Sequence, residues 1–382
     1  MHVHFPYEVP RNERAAFEAA GIKVTCEPRI GRLCHEKIWQ GAHLSVWYPE
    51  KPRTPGHLVI GFGAHSFTQV TPEAYSEMHG VIQKIYAAQP KRAFVVSGQE
   101  RQGEYLVEVL PERPPVEGQE YGIKNVADKV SCHGYVIDPE NPYRDISYHY
   151  RPGEKEEDRS YWTTTLQNAP QEMPPVADTT GPWTLRSSHT EATTLMIEDR
   201  LNQILTARGG TTTGFREADW NAVDRPSPIV EQPMGSCAFC RPEVLAAQTI
   251  IGRDGFRILY NLAGGDRFLL ISDHHTPRLA EVTNITAMYH LQQDFCKMLA
   301  TQFPGKHVVT YCQDAPSVGQ TVRHMHLQIT VTDPDAPPEE LYIEGLRYLR
   351  EGPRKISPEE MAKITAHYRK KFEEMMGAQE PK

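Results

Sequence analysis

The sequence predicts an α+β fold made of two copies of one unit, each a mainly antiparallel sheet with one long helix on a face. Three observations predict it. The segments HLVIGFGAHSFTQV (57–70) and RFLLISDHHTPRLA (267–280) align without a gap at an offset of 210 residues, each with a short apolar run and a histidine, His65 or His275. A helical pattern follows each: Tyr75, Met78, Val81, Ile82 and Ile85 within 72–88, and Ile285, Met288, Leu291, Phe295 and Met298 within 281–299. A β-rich run then follows each helix, Phe94-Val95-Val96 and Val308-Val309-Thr310-Tyr311. Apolar residues three and four apart suit one buried helix face, so strand–helix–strand occurs twice.

Composition bounds what such a chain can do. Its 382 residues suit two or three domains, and 39% hydrophobic with 24% charged residues can build a packed core. A net charge of −8 argues against a general binder of nucleic acid or anionic membrane. No apolar run approaches the ~20 residues that span a bilayer. The start, MHVHFPYEVPRNER, lacks the basic-then-apolar layout of a secretory signal. Seven scattered cysteines do not suggest a disulfide framework, so a reducing, cytoplasmic compartment is expected.

Along the chain, residues 1–111 hold the first repeat. Residues 112–230 form an insert or linker whose stretches 111–117, 152–159 and 169–182 are rich in proline and charge and read as loops. Trp162, Trp183 and a helical pattern at 190–207 suggest that part of the insert packs on the body. Residues 231–335 hold the second repeat. Residues 336–382 form a helical tail, with Met361, Ile364, Tyr368 and Phe372 at helical spacing and a charged, solvated face.

Chemistry concentrates in the second repeat. In GQTVRHMHLQITV (319–331), His324, His326 and Gln328 alternate with Met325, Leu327 and Ile329. On a strand of period two, the polar three share one face and the apolar three enter a core. The preceding Gly319-Gln320-Thr321 supplies a tight turn with amide and hydroxyl donors suited to phosphate. Upstream, Cys237-Ala-Phe-Cys240 offers two thiols from one turn, which is half of a tetrahedral zinc site; a redox pair is the other reading.

The run ending in His324, His326 and Gln328 resembles the histidine-triad superfamily, and the glutamine in third place resembles its transferase branch. That branch includes enzymes like galactose-1-phosphate uridylyltransferase and diadenosine tetraphosphate phosphorylase. The resemblance implies a nucleotidyltransferase or phosphorylase acting on a nucleotide-sugar or dinucleoside polyphosphate. It would use a phosphate or sugar-phosphate acceptor. His326 would be the nucleophile, with its Nδ1 held by the His324 carbonyl, and Gln328 would bond the phosphoryl oxygens. Thr321 and Gln320 would contact phosphate or leaving group, Gln313 the phosphate, and Asn261 the ribose. Ile250, Phe256 and Ile258 would line a base pocket. The resemblance also completes a structural zinc site, with His275 and His324 joining Cys237 and Cys240; His274 is a rival for His275.

In the first repeat Glu104, Leu106 and Glu108 stand near the triad positions, which implies a degenerate copy paired with the active one as an intramolecular pseudo-dimer. Hydrolysis by the same fold and nucleotide binding without turnover are the alternatives. Homodimerisation beyond the fused pair is left open. Nucleic acid is a disfavoured partner and a membrane is not expected.

Overall fold

The computed structural model describes residues 2–5, 23–26, 36–50, 52, 54–90, 92–101, 104–111, 151–168, 237–262, 265–314, 320, 322–332 and 356–379, with backbone only for 2–5, 23–26, 101, 332, 378 and 379. Strands β1 (His2–Phe5) and β2 (Lys23–Cys26) form a parallel pair of their own. The remaining strands are β3 (Glu36–Gln40), β4 (Ser45–Tyr48), β5 (Leu58–Gly61), β6 (Phe94–Arg101), β7 (Glu104–Pro111), β8 (Thr249–Arg253), β9 (Phe256–Tyr260), β10 (Arg267–Ser272), β11 (His307–Gln313) and β12 (His326–Thr332). They form one antiparallel sheet of ten strands in the order β3-β4-β5-β7-β6-β11-β12-β10-β9-β8. With its long helices on one face of an antiparallel sheet, the chain has the expected α+β architecture.

The order reads alike from either edge: an outer hairpin, a third strand, then a final pair. The halves meet where Ser97 of β6 pairs with Tyr311 of β11. The register repeats as well, with β5 offset from β10 by 210 residues and β7 from β12 by 220. Gly61 pairs with Leu106 as Ile271 pairs with His326, and Val59 pairs with Glu108 as Leu269 pairs with Gln328. Leu106 thus stands where the second half has its candidate nucleophile, and Glu108 where it has Gln328.

Two long helices cover one face. In α1 (Pro72–Ala88) the Thr71 side chain caps the start by accepting from the Ala74 N–H, and Pro72 opens the first turn. In the matching helix of the second half, Asn284 caps in the same way, accepting from the Ala287 N–H. That helix spans Ile285–Gln302 rather than 281–299, because Leu279–Glu281 form a separate 3₁₀ turn before the cap. The two helices pack together, with the Tyr75 hydroxyl donating to Gln292 Oε1 at 2.8 Å. Beneath them lies the main core, including Ile60, Phe94, Val96, Ile258, Phe268, Leu270, Met325, Leu327 and Ile329. The expected burial of Met325, Leu327 and Ile329 is observed.

At mid-sheet, Gly98 faces the Tyr105 hydroxyl and Thr310 Oγ1, and an added Cβ would collide with both. A glycine there lets the two halves approach across β6 and β11.

The insert departs from the loop reading at 152–159. Residues Glu154–Asn168 form a helix, α2. Gly153, at φ +84°, makes the turn into it, and Glu154, Glu156 and Glu157 sit at its positive N-terminal end. Trp162 and Leu166, one turn apart, are fully buried against the first half, and Asp158 Oδ2 accepts from the Tyr48 hydroxyl and the Gly56 N–H at 2.8 Å each. Local charge hid a helix anchored by only two apolar residues.

The short α3 (Pro242–Gln248) leads into β8. The second-half long helix is α4, and the tail contributes α5 (Pro358–Gln379). On α5, Met361, Tyr368 and Phe372 are buried and Ile364 packs beside them, as the spacing predicted. Arg369 ties α5 to the carbonyls of Thr249 and Ile250. Trp183, the 190–207 pattern and tail residues 337–355 lie outside the described residues, and no described helix is long and apolar enough to cross a membrane.

Candidate active site and metal centre

The sheet face opposite α1 and α4 carries the polar row. Strand β12 begins at His326, while Val322–His324 form a bend leading into it, so His324 is aimed by a turn rather than by the ladder. His324 Nε2 donates to the Ser272 carbonyl at 2.8 Å, leaving Nδ1 without a proton and facing Cys237 Sγ at 3.6 Å and Cys240 Sγ at 3.5 Å. Cys240 Sγ lies 3.4 Å from His275 Nδ1. The cysteines are brought together by a 3₁₀ turn in which the Cys240 N–H donates to the Cys237 carbonyl at 3.0 Å. His275 is held by its own loop, where the Thr276 carbonyl accepts from the Met325 N–H at 2.6 Å.

The four donor atoms lie within 4.8 Å of one another. Zn–S bonds of about 2.3 Å and Zn–N bonds of about 2.1 Å at tetrahedral angles place S and N about 3.6 Å apart, close to the distances observed. Burial lowers the pKa of His275, and that of His324 to about 4, which favours the neutral form of both imidazoles. Burial, with the neighbouring Cys237 thiol, pushes Cys240 up to about 11. A thiol becomes a thiolate when it binds a cation, and the donor set is compatible with zinc. His274 is exposed and stands outside the cluster.

His326 is buried, and its Nδ1 donates to the His324 carbonyl at 2.8 Å, the expected tautomer. Among the described residues no hydrogen-bonding group takes Nε2. The Phe239 ring lies edge-on to the imidazole with centroids 5.3 Å apart. Burial lowers the pKa of His326 and keeps the ring neutral. Gln328 lies two residues on along the same face, with its Nε2 3.5 Å from Gln313 Oε1.

The other predicted residues divide. Gln313 is buried, and one step beyond the Cys312–Leu327 pair it falls opposite His326. Gln320 is buried with its Nε2 donating to the Pro277 carbonyl at 3.1 Å, which ties the turn before the triad to the loop bearing His275. Asn261 follows β9 on the same face as His326, four rows along, about 13 Å at ~3.3 Å per residue. Thr321 lies outside the described residues, as does Gly319. The expected base-pocket residues Ile250, Phe256 and Ile258 do not face this site. They are buried in the main core beneath α4, because their parity is opposite to that of Arg257 and Leu259. Leu259, Leu269 and Ile271, with Phe239 and Leu245, supply the apolar surface beside His326.

Sequence reasoning missed Phe239, Tyr311 and Asp314. Tyr311 was within reach of the period-two pattern, two residues before Gln313 on one strand. Asp314 follows β11, and its Oδ1 accepts from the Phe94 N–H at 2.5 Å, bridging the halves. Desolvation raises its pKa to about 7 against the opposing pull of the Phe94 N–H, the Arg278 charge and the Tyr86 hydroxyl. The carboxyl of an unfolded chain titrates near 3.9. The native state therefore holds a proton that the unfolded state has released, and stability falls as pH rises from about 4 to about 7. Asp314→Asn is expected to flatten that slope and to raise Tm relative to wild type at pH 8, with the gain vanishing below pH 4; melting curves across pH 4–8 measure it.

No family model matches this chain, and no curated protein matches it. Among solved structures it is similar to a GalT-like protein from Arabidopsis thaliana, at 11% identity over 85% of this chain and 83% of that one, with a TM-score of 0.40. It is also similar to an ADP-glucose phosphorylase from the same plant with bound ADP-glucose, at 10% identity over 84% and 81%, with a TM-score of 0.39. A zinc-bound histidine triad family protein from Mycobacterium smegmatis aligns at 17% identity with 38% of this chain and 99% of its own, with a TM-score of 0.28.

Proposed function

We propose that this chain is a nucleotidyltransferase or phosphorylase that cleaves the α–β phosphoanhydride of a nucleotide-sugar or dinucleoside polyphosphate through a nucleotidyl-His326 intermediate. The observation that carries the reading is the His326 tautomer: Nδ1–H is spent on the His324 carbonyl, so the lone pair is on Nε2, on a face with the amides of Gln328 and Gln313. In the first step Nε2 bonds to the α-phosphorus and the bond to the bridging oxygen breaks, releasing the distal phosphate. In the second an acceptor phosphate oxygen attacks, the P–N bond breaks, and neutral imidazole returns. Gln328 would donate to the phosphoryl oxygens, with Gln313 beside it and Thr321 and Gln320 shaping the turn toward the leaving group. An amide cannot protonate a leaving group, which suits departure and attack by phosphates that need little acid help. Asn261 would contact the ribose.

Zinc on Cys237, Cys240, His275 and His324 would be structural, since four protein ligands leave no open position for substrate. It would hold the bend that aims His326. The two repeats, 1–111 and 231–335, would stand as an intramolecular pseudo-dimer, a reading supported by the offset register. The insert (112–230) and tail (336–382) would complete the chain.

Intact mass after exposure to ADP-glucose, UDP-glucose or diadenosine tetraphosphate tests the reading. The expected result is an added nucleoside monophosphate that inorganic phosphate or a sugar phosphate removes faster than water does. Discharge at one rate whatever the acceptor would make the chain a hydrolase, and nucleotide binding without any adduct would leave it a binding protein.

A further inference from the structure

We infer that Tyr311 is a positioning residue that sets which end of the Gln328 amide meets the phosphoryl group; the inference rests on the reading above. Tyr311 and Gln328 are direct cross-strand partners on β11 and β12, so their side chains share the face of His326. The Tyr311 hydroxyl donates to Gln328 Oε1 at 2.5 Å. Gln328 Nε2 is turned the other way, toward Gln313 Oε1 at 3.5 Å, and Gln313 lies opposite His326 in the register.

An amide has nearly the same shape when turned end for end, but the two ends are chemically opposite. With Nε2 toward the His326 row it offers N–H to phosphoryl oxygens. Turned over, it would present a carbonyl oxygen to them and repel the charge that develops in the transition state. A phenol is a stronger donor than acceptor, so Tyr311 favours the orientation in which it meets the carbonyl. Gln328 has three rotatable bonds of its own before the amide, and the strand backbone alone does not choose between the ends. Tyr311 borders the seam with the first half, through its pairing with Ser97. The repeat without a nucleophile thus backs the residue that orients the amide of the active one.

The test is a double-mutant cycle on adduct formation with ADP-glucose, UDP-glucose and diadenosine tetraphosphate, joined to NMR of the Gln328 side-chain amide. That signal is assigned by its loss in Gln328→Ala. Tyr311→Phe keeps the ring and removes the hydroxyl. It is expected to slow adduct formation about tenfold at saturating probe with little change in half-saturation, and to shift the Gln328 amide signal. Gln328→Ala should slow it further, and the double variant should match Gln328→Ala, because Tyr311 acts only through the amide. Additive losses, or a Tyr311→Phe protein with wild-type rate and an unmoved amide signal, would overturn the inference while leaving nucleotidyl transfer intact. If wild-type protein forms no adduct with any of the three probes, nucleotidyl transfer fails, and the role of Tyr311 in it fails too.

Discussion

Replacing His326 by asparagine is expected to abolish nucleotidyl-adduct formation, with turnover falling by at least about 10³-fold. The effect is large because the proposed reaction runs through one atom, Nε2. Leu106 occupies the matching register position in the first half, so that position offers no second nucleophile. The variant should keep its metal content and fold, since among the described residues the lost imidazole bonds the His324 carbonyl and touches Phe239 without joining the metal cluster. Intact mass, steady-state rate and bound zinc, measured on the same preparation, separate loss of chemistry from loss of structure. A His326→Asn protein that still becomes covalently labelled with nucleotide would place the nucleophile elsewhere.

Replacing Cys237 by serine is expected to have the largest effect on stability, with bound zinc lost and Tm falling on the order of 10 °C. The reason is topological. The four donors come from three segments: the turn before α3, the loop after β10 and the bend before β12. A metal there would tie together segments whose separations of 35 and 49 residues, Cys240 to His275 and His275 to His324, leave long loops to close without it. Cys237 is buried and near His324, so serine would leave a weaker ligand at the core of the cluster. A chelator should reproduce the melting shift in wild type and leave the variant unmoved. A serine variant that retains one zinc per chain and the wild-type Tm would remove the cluster from the account.

The site was partly legible before folding. Alternation placed His326 and Gln328 on one face and Met325, Leu327 and Ile329 on the other, because strand parity is a local property. The CxxC spacing was legible too, since a turn of four residues is local. Pairing it with His275 and His324 came from resemblance, as no local rule joins residues that far apart. Where local parity was not applied, at Ile250, Phe256 and Ile258, the expected pocket landed on the wrong side of the sheet. The helix at Glu154–Asn168 escaped because charge outweighs its two anchoring apolar residues.

What the sequence determined by itself was the strand–helix–strand pattern of each half, the two long helices, the two-faced strand and the residue types available for chemistry. These follow from periodicity and from side-chain chemistry within a few residues. The tertiary structure alone decided that the two halves share one sheet through β6 and β11, that Asp314 bridges them, and that Tyr311 meets the Gln328 amide. Strand neighbours are chosen by burial and hydrogen bonding across the whole chain, and a pattern of period two says which way a side chain points but not what stands opposite it.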